Sequence, residues 1–562
     1  MAGPKAPKDP TAKGSSFYIC RQKEVAGNPT PDGRGVQFIY LDGERLTTFA
    51  KMVGSVTDET MINNLRSAEG FLSMVAGIGV TVEAQDADNA IDFVFQMYGK
   101  RDTYGSGDQL RVRCRPDGME QIIWLDDHEW GDDNAVVGQM RFEFEKPGTL
   151  ATIDVKLYLR EGFEAPEQEE RTEIRVESEA YQAILGRSLM NLGNYARVKR
   201  VLDRAKRGEE VTIAFIGGSI TQGAGATPID KKAYAYQTWE RFKENFGENV
   251  KLIKAGVGGT PSELGMIRFE RDVLRGFTVK PDLIVIEFSV NDEGDETKGL
   301  CYESLVRKCL ATSDDTAVIL IHAVFADDWN LEERLGPVGE RYEIPMVSVR
   351  QGVVPQFYLK PDTGRVLTKS QFFYDVYHPT NMGHTIMADC LIHLMKQIDQ
   401  APLIADVDWR SKEPYFGADF ENVELVDRAW KTELLMDLTV GSFLENDADL
   451  QRVEMDDQIV PVPEFPNNWH HAGGSEAFSA KISCKSLLIV VKDSGSPEYG
   501  KAIVKVDGKE VLTLDPRIVG WTHCTPLIIW RGEQTMEHKI EVSMIPGDED
   551  KKMTILGFGV VR

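Results

Sequence analysis

Residues 211–225 read VTIAFIGGSITQGAG, and this stretch decides the fold. Val211–Ile216 is a short, β-branched apolar run, the pattern of a strand buried on both faces of a parallel sheet. Gly217 and Gly218 end it, Ser219 follows, and a polar glycine-rich turn leads into a helical pattern over 232–246. A serine at the C-terminal lip of such a strand stands where open α/β sheets place their chemistry. The paired glycines allow a tight turn and leave the hydroxyl uncrowded. Alone, the stretch also fits a plain strand–helix turn or a phosphate-cradling loop. It carries neither the GK[ST] of a P-loop nor G-x-G-x-x-G, which counts against nucleotide binding.

Working outward, 179–208 has apolar residues at helical spacing (Leu189, Leu192, Tyr195, Val198, Val201, Leu202) and ends at Gly208 behind basic residues, a helix stop. Downstream, strand patterns at 250–253, 283–288, 317–322 and 345–349 alternate with helical ones at 262–274, 302–311, 331–342 and 381–398. Such alternation predicts a three-layer, doubly wound parallel sheet with helices on both faces. The flanks read differently. Short β runs separated by turn signals occupy 17–162, with one helical insert over 58–73, and an acidic, proline-bearing linker follows at 164–171. After Pro402 the pattern is β again, including a hairpin over 502–514 around Asp507-Gly508. The expected division is a disordered tail (1–16), an N-terminal β-sandwich (17–175), an α/β domain (176–402) and a C-terminal jelly-roll-like β-sandwich (403–562).

The chain has 562 residues, too long for one core, and a formal net charge of −25, which argues against a nucleic-acid partner. No apolar run approaches membrane-spanning length, so no membrane partner is expected. The N-terminal MAGPKAPKDPTAKGSS lacks the apolar core of a secretory signal. The seven cysteines are scattered, without C-x-x-C spacing, and read as free buried thiols of a cytoplasmic protein.

Three further stretches follow strand ends or precede the last helix: Ala255-Gly-Val-Gly-Gly-Thr-Pro-Ser262, Glu287-Phe-Ser-Val-Asn-Asp292 and Asp375-Val-Tyr-His378. Acyl transfer needs a nucleophile, a base, a group that orients the base, and donors for an oxyanion. Ser219 offers the hydroxyl, His378 the base and Asp375 the orienting carboxylate, while Ser219 N–H, Gly259 N–H and the Asn291 amide offer the donors. These four blocks, in this order, resemble the SGNH or GDSL-type hydrolase family over roughly 181–400. The resemblance implies the same roles: Ser219 nucleophile, His378 base, Asp375 its partner, Gly259 and Asn291 in the oxyanion hole. Three positions depart from the family pattern: Gly218 where Asp is usual, Lys254 where Asn often precedes the glycine loop, and Ser289 where Gly is common.

The resulting expectation is a serine esterase that removes short acyl groups, acetyl first, from carbohydrates, with acetylated oligosaccharides as substrate and no cofactor. The sugar preference rests on the flanking modules, since a fold alone does not assign a substrate. The C-terminal segment resembles the jelly roll appended to some carbohydrate esterases. Trp124, His128 and Trp130 could face a glycan, and Trp329 could stack on a sugar or simply pack at the surface. A thioesterase or lysophospholipase of the same family, or a silent glycan-binding protein, are the alternatives. Trp469-His470-His471 resembles half a metal site with no second ligand pair, so no metal is assigned, and His322, His384 and His393 read as structural.

Overall fold

The computed structural model describes residues 15–30, 34–43, 45–84, 90–454 and 461–562. The expected N-terminal tail lies outside these residues up to position 14, and Ser16 already opens a strand. The chain packs as two compact units. One takes the described residues up to Ile174 together with Lys360–Gly383; the other takes Arg175–Leu359 with His384–Arg562.

In the second unit, Val211–Gly217 is buried along its whole length, as its unbroken apolar sequence requires. Its sheet runs, in spatial order, Leu189–Asn191, Met346–Ser348, Ala317–His322, Leu283–Glu287, Val211–Gly217 and Val250–Gly256. All neighbours are parallel except the first pair. The antiparallel edge strand corrects the single helical reading of 179–208. That segment forms helices Glu179–Ser188 and Ala196–Lys206 around the Leu189–Asn191 strand. The break comes from Gly193, held at φ +50° with its N–H on the Asn191 side chain at 2.8 Å. A Cβ there would lie 2.4 Å from the Glu343 carbonyl oxygen.

Register sets the site. Gly217 stands level with Gly256 on one neighbour and Glu287 on the other. The loops carrying Ser219, Gly259 and Asn291 therefore leave the sheet side by side at its C-terminal edge, the edge where α/β sheets bind ligands.

The same unit contains an eight-stranded antiparallel sheet made from residues 424–561. Its centre is Phe478–Asp493 paired with His523–Met544. The sequence reads the latter as two strands, 527–530 and 539–544; it is one strand with a register shift, Arg531 pairing with Ser486 and Met536 with Cys484, so that 532–535 bulge opposite Lys485. Helix Ser262–Asp272 joins the two sheets into one core, with Leu264, Ile267 and Phe269 buried among Leu425, Leu488, Val490 and Leu556. Removing apolar side chains like these from water is worth about 1.5–3 kcal/mol each.

The first unit is antiparallel β. Ser16–Ala26, Leu150–Leu159, Val75–Ala84 and Gln121–Trp124 form one sheet, and strands within 28–144 form a second of five strands. Phe17, Ile19, Phe71, Phe93, Phe95 and Phe142 belong to its core. Strand Val75–Ala84 carries Gly77 and Gly79, a residue type that weakens strand interiors. Each instead makes room for a ring: an added Cβ would meet Trp124 or Tyr158 at 2.8 Å. The expected single helix over 58–73 is two helices, Glu59–Asn64 and Ala68–Met74, with Ser67 capping the second through Gly70 N–H at 3.1 Å. The 164–171 stretch has no regular structure, as expected of a linker, but it is not loose. Gln168 Oε1 accepts from Tyr18 N–H at 3.1 Å, and Arg21 and Arg365 each bond to Glu169 at 2.8 Å.

Candidate active site

Ser219 is the first residue of a one-turn helix, Ser219–Gln222. Its own carbonyl accepts from Gly223 and Ala224 N–H at 3.0 and 2.9 Å, so the side chain is carried on a closed turn and is half-buried. Gly218, the first departure from the family pattern, now has a physical cause. A Cβ at this position would lie 2.3 Å from Asn291 Oδ1 and 2.8 Å from Asn291 Nδ2. The Asn291 amide thus occupies the space a side chain at 218 would need, directly beside the serine. Gly259 is held at φ +71°, the left-handed region that favours glycine. The structure therefore gathers Ser219, Gly259 and Asn291 on three adjacent strand ends of one unit.

Several residues hold this arrangement, and sequence reading found few of them. Lys254, buried in its strand, donates to the Gln222 carbonyl at 3.0 Å and so fastens the end of the serine's helix. Arg268 is fully buried and donates to the carbonyls of Gly217 (3.1 Å) and Ala255 (2.8 Å), with Asp272 at 3.0 Å balancing its charge. It ties the two glycine-bearing strand ends together. An arginine in an amphipathic helix ordinarily reads as solvated surface, so no local signal marked it. Asp292 accepts from Ser262 N–H at 2.8 Å and Ser262 Oγ at 2.6 Å, joining the Asn291 loop to the start of the next helix. Burial pushes its carboxyl up to about 7, against the hydrogen bonds from Ser262. Glu287, which ends the strand five positions earlier, is pushed up to about 8 for the same reason, despite the Thr221 hydroxyl.

Asp375 and His378 fall in the other unit, and the structure brings these two together. Asp375 Oδ1 accepts the N–H groups of Tyr377 and His378, both at 2.8 Å, closing a tight turn. His378 Nδ1 stands 3.0 and 2.9 Å from the two carboxylate oxygens. A carboxylate only accepts, so Nδ1 carries the proton and Nε2 of the neutral ring carries the lone pair. Burial raises the Asp375 carboxyl, but the His378 ring and the two backbone donors outweigh it and hold it below the usual aspartate range. The turn is anchored in the antiparallel β unit. Tyr374 packs against Phe49, lies under the Lys23 ammonium at 3.3 Å, and reaches the Tyr40 carbonyl at 3.4 Å. Gln371 donates to the Thr172 carbonyl at 2.7 Å.

Other residues singled out in the sequence have plainer places. Trp329 is half-buried against Phe325, with ring centroids 5.8 Å apart. Trp130 packs edge-on to core Phe95 and donates to the Leu125 carbonyl, whereas Trp124 stays partly exposed on its strand. His384 bridges Tyr234 N–H and the Ala224 carbonyl. His322 is wholly buried, and burial lowers it to about 4. His470 and His471 are engaged by Thr554, Lys551 and Gly474. Among the described residues no group of three or more His, Cys, Asp or Glu is placed to hold a metal ion. No helix among them is long and apolar enough to cross a membrane.

Residues 215–386 match the GDSL-like Lipase/Acylhydrolase family. A solved two-domain esterase active on acetylated mannans is 25% identical over 67% of this chain and 99% of its own, with a TM-score of 0.57. Its form co-crystallised with mannopentaose gives the same values: 25%, 67%, 99% and 0.57. A family two carbohydrate esterase from Cellvibrio japonicus is 13% identical, covering 70% of this chain and 98% of that one, at a TM-score of 0.22. No curated protein matches. Residues 215–386 thus form an SGNH/GDSL-type hydrolase domain, flanked in sequence by antiparallel β-sheet regions, and the chain is a carbohydrate esterase-like ester hydrolase.

Proposed function

We propose that the protein is a serine esterase that removes short acyl groups, acetyl above all, from oligosaccharides. The observation that carries this reading is the convergence of Ser219, the Asn291 amide and the Gly259 turn at one sheet edge. The 25% identical esterase active on acetylated mannans supports the substrate class.

In this mechanism Ser219 Oγ attacks the acyl carbon and its proton passes to His378 Nε2. Asp375 holds the ring and stabilises the imidazolium that forms. Ser219 N–H, Gly259 N–H and the Asn291 amide donate to the oxyanion of the tetrahedral intermediate. The intermediate collapses, the C–O bond to the sugar breaks, and the departing sugar oxygen takes the proton from His378. Water then attacks the acyl-serine, again losing its proton to His378. The released acid leaves and Ser219 recovers its proton.

Asn291→Ala is expected to lower kcat by roughly 10²–10³ with KM almost unchanged, because an oxyanion donor acts on the transition state. A change confined to KM would make Asn291 a substrate-binding residue instead. The rim around Gly258 and Gly259 includes the polar Gln222, Gln451 and His523 beside Trp521. Acetyl esters should therefore outpace octanoyl esters by about tenfold or more. A colour assay across acyl lengths, followed by mass spectrometry of acetylated manno-, xylo- and pectic oligosaccharides, tests the reading. Faster octanoyl cleavage would point to a lipid or thioester substrate, and silence on every ester to a glycan-binding protein.

A further inference from the structure

The Gly256–Gly259 loop is gripped from outside its own sheet. Gln451 Nε2 donates to the Gly258 carbonyl at 2.6 Å, and Gln451 Oε1 accepts from Cys524 N–H at 3.1 Å. His523 Nε2 stands 3.1 Å from the Gly259 carbonyl. That oxygen only accepts, so Nε2 carries a proton. The other face of the ring is fixed as well. Nδ1 lies 2.9 Å from Asp493 Oδ2 and 3.0 Å from Thr525 Oγ1, and Thr525 also bonds to Asp493. Asp493 and His523 are cross-strand partners in the C-terminal sheet, and both are buried. The Trp521 ring covers the site, 4.8 Å from the His523 ring and 3.0 Å from where a Gly259 Cβ would stand.

The geometry has a consequence for the oxyanion donor. Gly258 C=O and Gly259 N–H belong to one planar trans peptide, so they point in opposite directions. Whatever fixes that carbonyl aims that N–H. Gln451 fixes it, and His523 fixes the carbonyl of the following peptide, so the plane on each side of Gly259 is set. Gly259 needs this because glycine has the widest backbone freedom of any residue. Within the loop, Thr260 Oγ1 donates to the Val257 carbonyl at 2.8 Å, while the two glycine carbonyls are met by Gln451 and His523 from outside it.

We propose that Gln451 and His523, from the C-terminal β-sheet region, are positioning residues that aim Gly259 N–H at the oxyanion. That region thereby becomes part of the esterase's catalytic competence. The proposal rests on the reading of Gly259 as an oxyanion donor.

The test uses the full chain with an acetyl ester and with phenylboronic acid, whose tetrahedral serine adduct places an oxygen in the oxyanion hole. Gln451→Ala and His523→Ala should each lower kcat by roughly ten- to a hundredfold, less than outright loss of a donor. KM should stay within about twofold, and boronate affinity should fall in parallel with kcat. His523→Gln keeps a donor and should recover most of the loss; Gln451→Glu, isosteric without the donor, should behave like Gln451→Ala. Thermal melts accompany each variant. Turnover and boronate affinity within twofold of wild type in the alanine variants, whether or not the melting temperature falls, overturn the proposal. So does an effect on KM alone. Ser219→Ala serves as the control for the underlying reading: if it retains turnover, the serine-nucleophile mechanism and the oxyanion role of Gly259 with it fail, whereas an inactive Ser219→Ala beside fully active Gln451 and His523 variants removes only this proposal.

Discussion

Ser219→Ala is expected to reduce turnover of an acetyl ester by on the order of 10⁶, the scale on which loss of a nucleophilic serine acts in related chemistry. The fold should survive the change. The serine is half-buried on a closed turn, and its backbone carbonyl, which the substitution keeps, makes the bonds to Gly223 and Ala224. The core beneath it consists of strand residues 211–217, which the substitution does not touch. Stability should therefore change by less than about 1 kcal/mol. The measurement is a pair of readings on the same preparation, initial rates and a thermal melt. Turnover near the wild-type level with an unchanged melt would remove Ser219 from the mechanism, and with it the chemical reading of the Gly258 peptide and Asn291. Residual hydrolysis on the order of 10³ over water is compatible with the proposal, because oxyanion donors act without the nucleophile.

Asp375→Asn should cut kcat by on the order of 10⁴ while substrate binding stays nearly constant. The reason lies in the short turn that both residues share. The carboxylate holds Nδ1–H of His378 at 2.9 Å, and with it the tautomer that leaves the lone pair on Nε2. An asparagine amide can offer a proton to Nδ1 and select the wrong tautomer. Removing the negative charge also removes what stabilises the imidazolium, so the rising limb of kcat/KM moves to lower pH and its plateau falls. Superimposable profiles, or a loss below about tenfold, would leave a Ser219–His378 dyad. Stability carries its own signature. Asp375 is held below the usual aspartate value of 3.8. Its stabilising contribution is therefore fully present above that value and is lost as pH falls through the lower, folded-state value. Asp375→Asn removes this acid-side dependence, which pH-dependent melts of the two proteins detect.

Asp375 and His378 fall in a different compact unit from Ser219, which the order of motifs does not suggest. Residues 360–383 lie in sequence between a helix and the closing helix of the α/β region, yet they pack with the antiparallel β unit. Tyr374 enters the aromatic group of Tyr40 and Phe49, and Arg365 and Gln371 fasten the 169–172 segment. The residues proposed as base and orienting acid thus owe their conformation to packing against residues 23–172, a stretch that carries no hydrolase motif.

By itself, the sequence determined the central sheet and marked the candidate residues at its edge. Apolar runs such as 211–216 and 283–288 are buried on both faces, so their pattern leaves no other assignment. Ser219, Gly259, Asn291, Asp375 and His378 were legible because each lies at a strand end or a turn beside residues whose types the chemistry demands. Tertiary structure alone decided the rest. The Leu189–Asn191 edge strand takes its shape from pairing with Met346–Ser348, a contact more than 150 residues away that no local pattern encodes. Gly77 and Gly79 look like breakers until Trp124 and Tyr158 fill the space they leave. Arg268, Gln451 and His523 are ordinary polar residues in sequence. They acquire meaning only when folding lays a helix and the C-terminal sheet against backbone carbonyls of the glycine-bearing strand ends, because a hydrogen bond to a peptide group depends on where the backbone passes and leaves no mark on the residue types that make it.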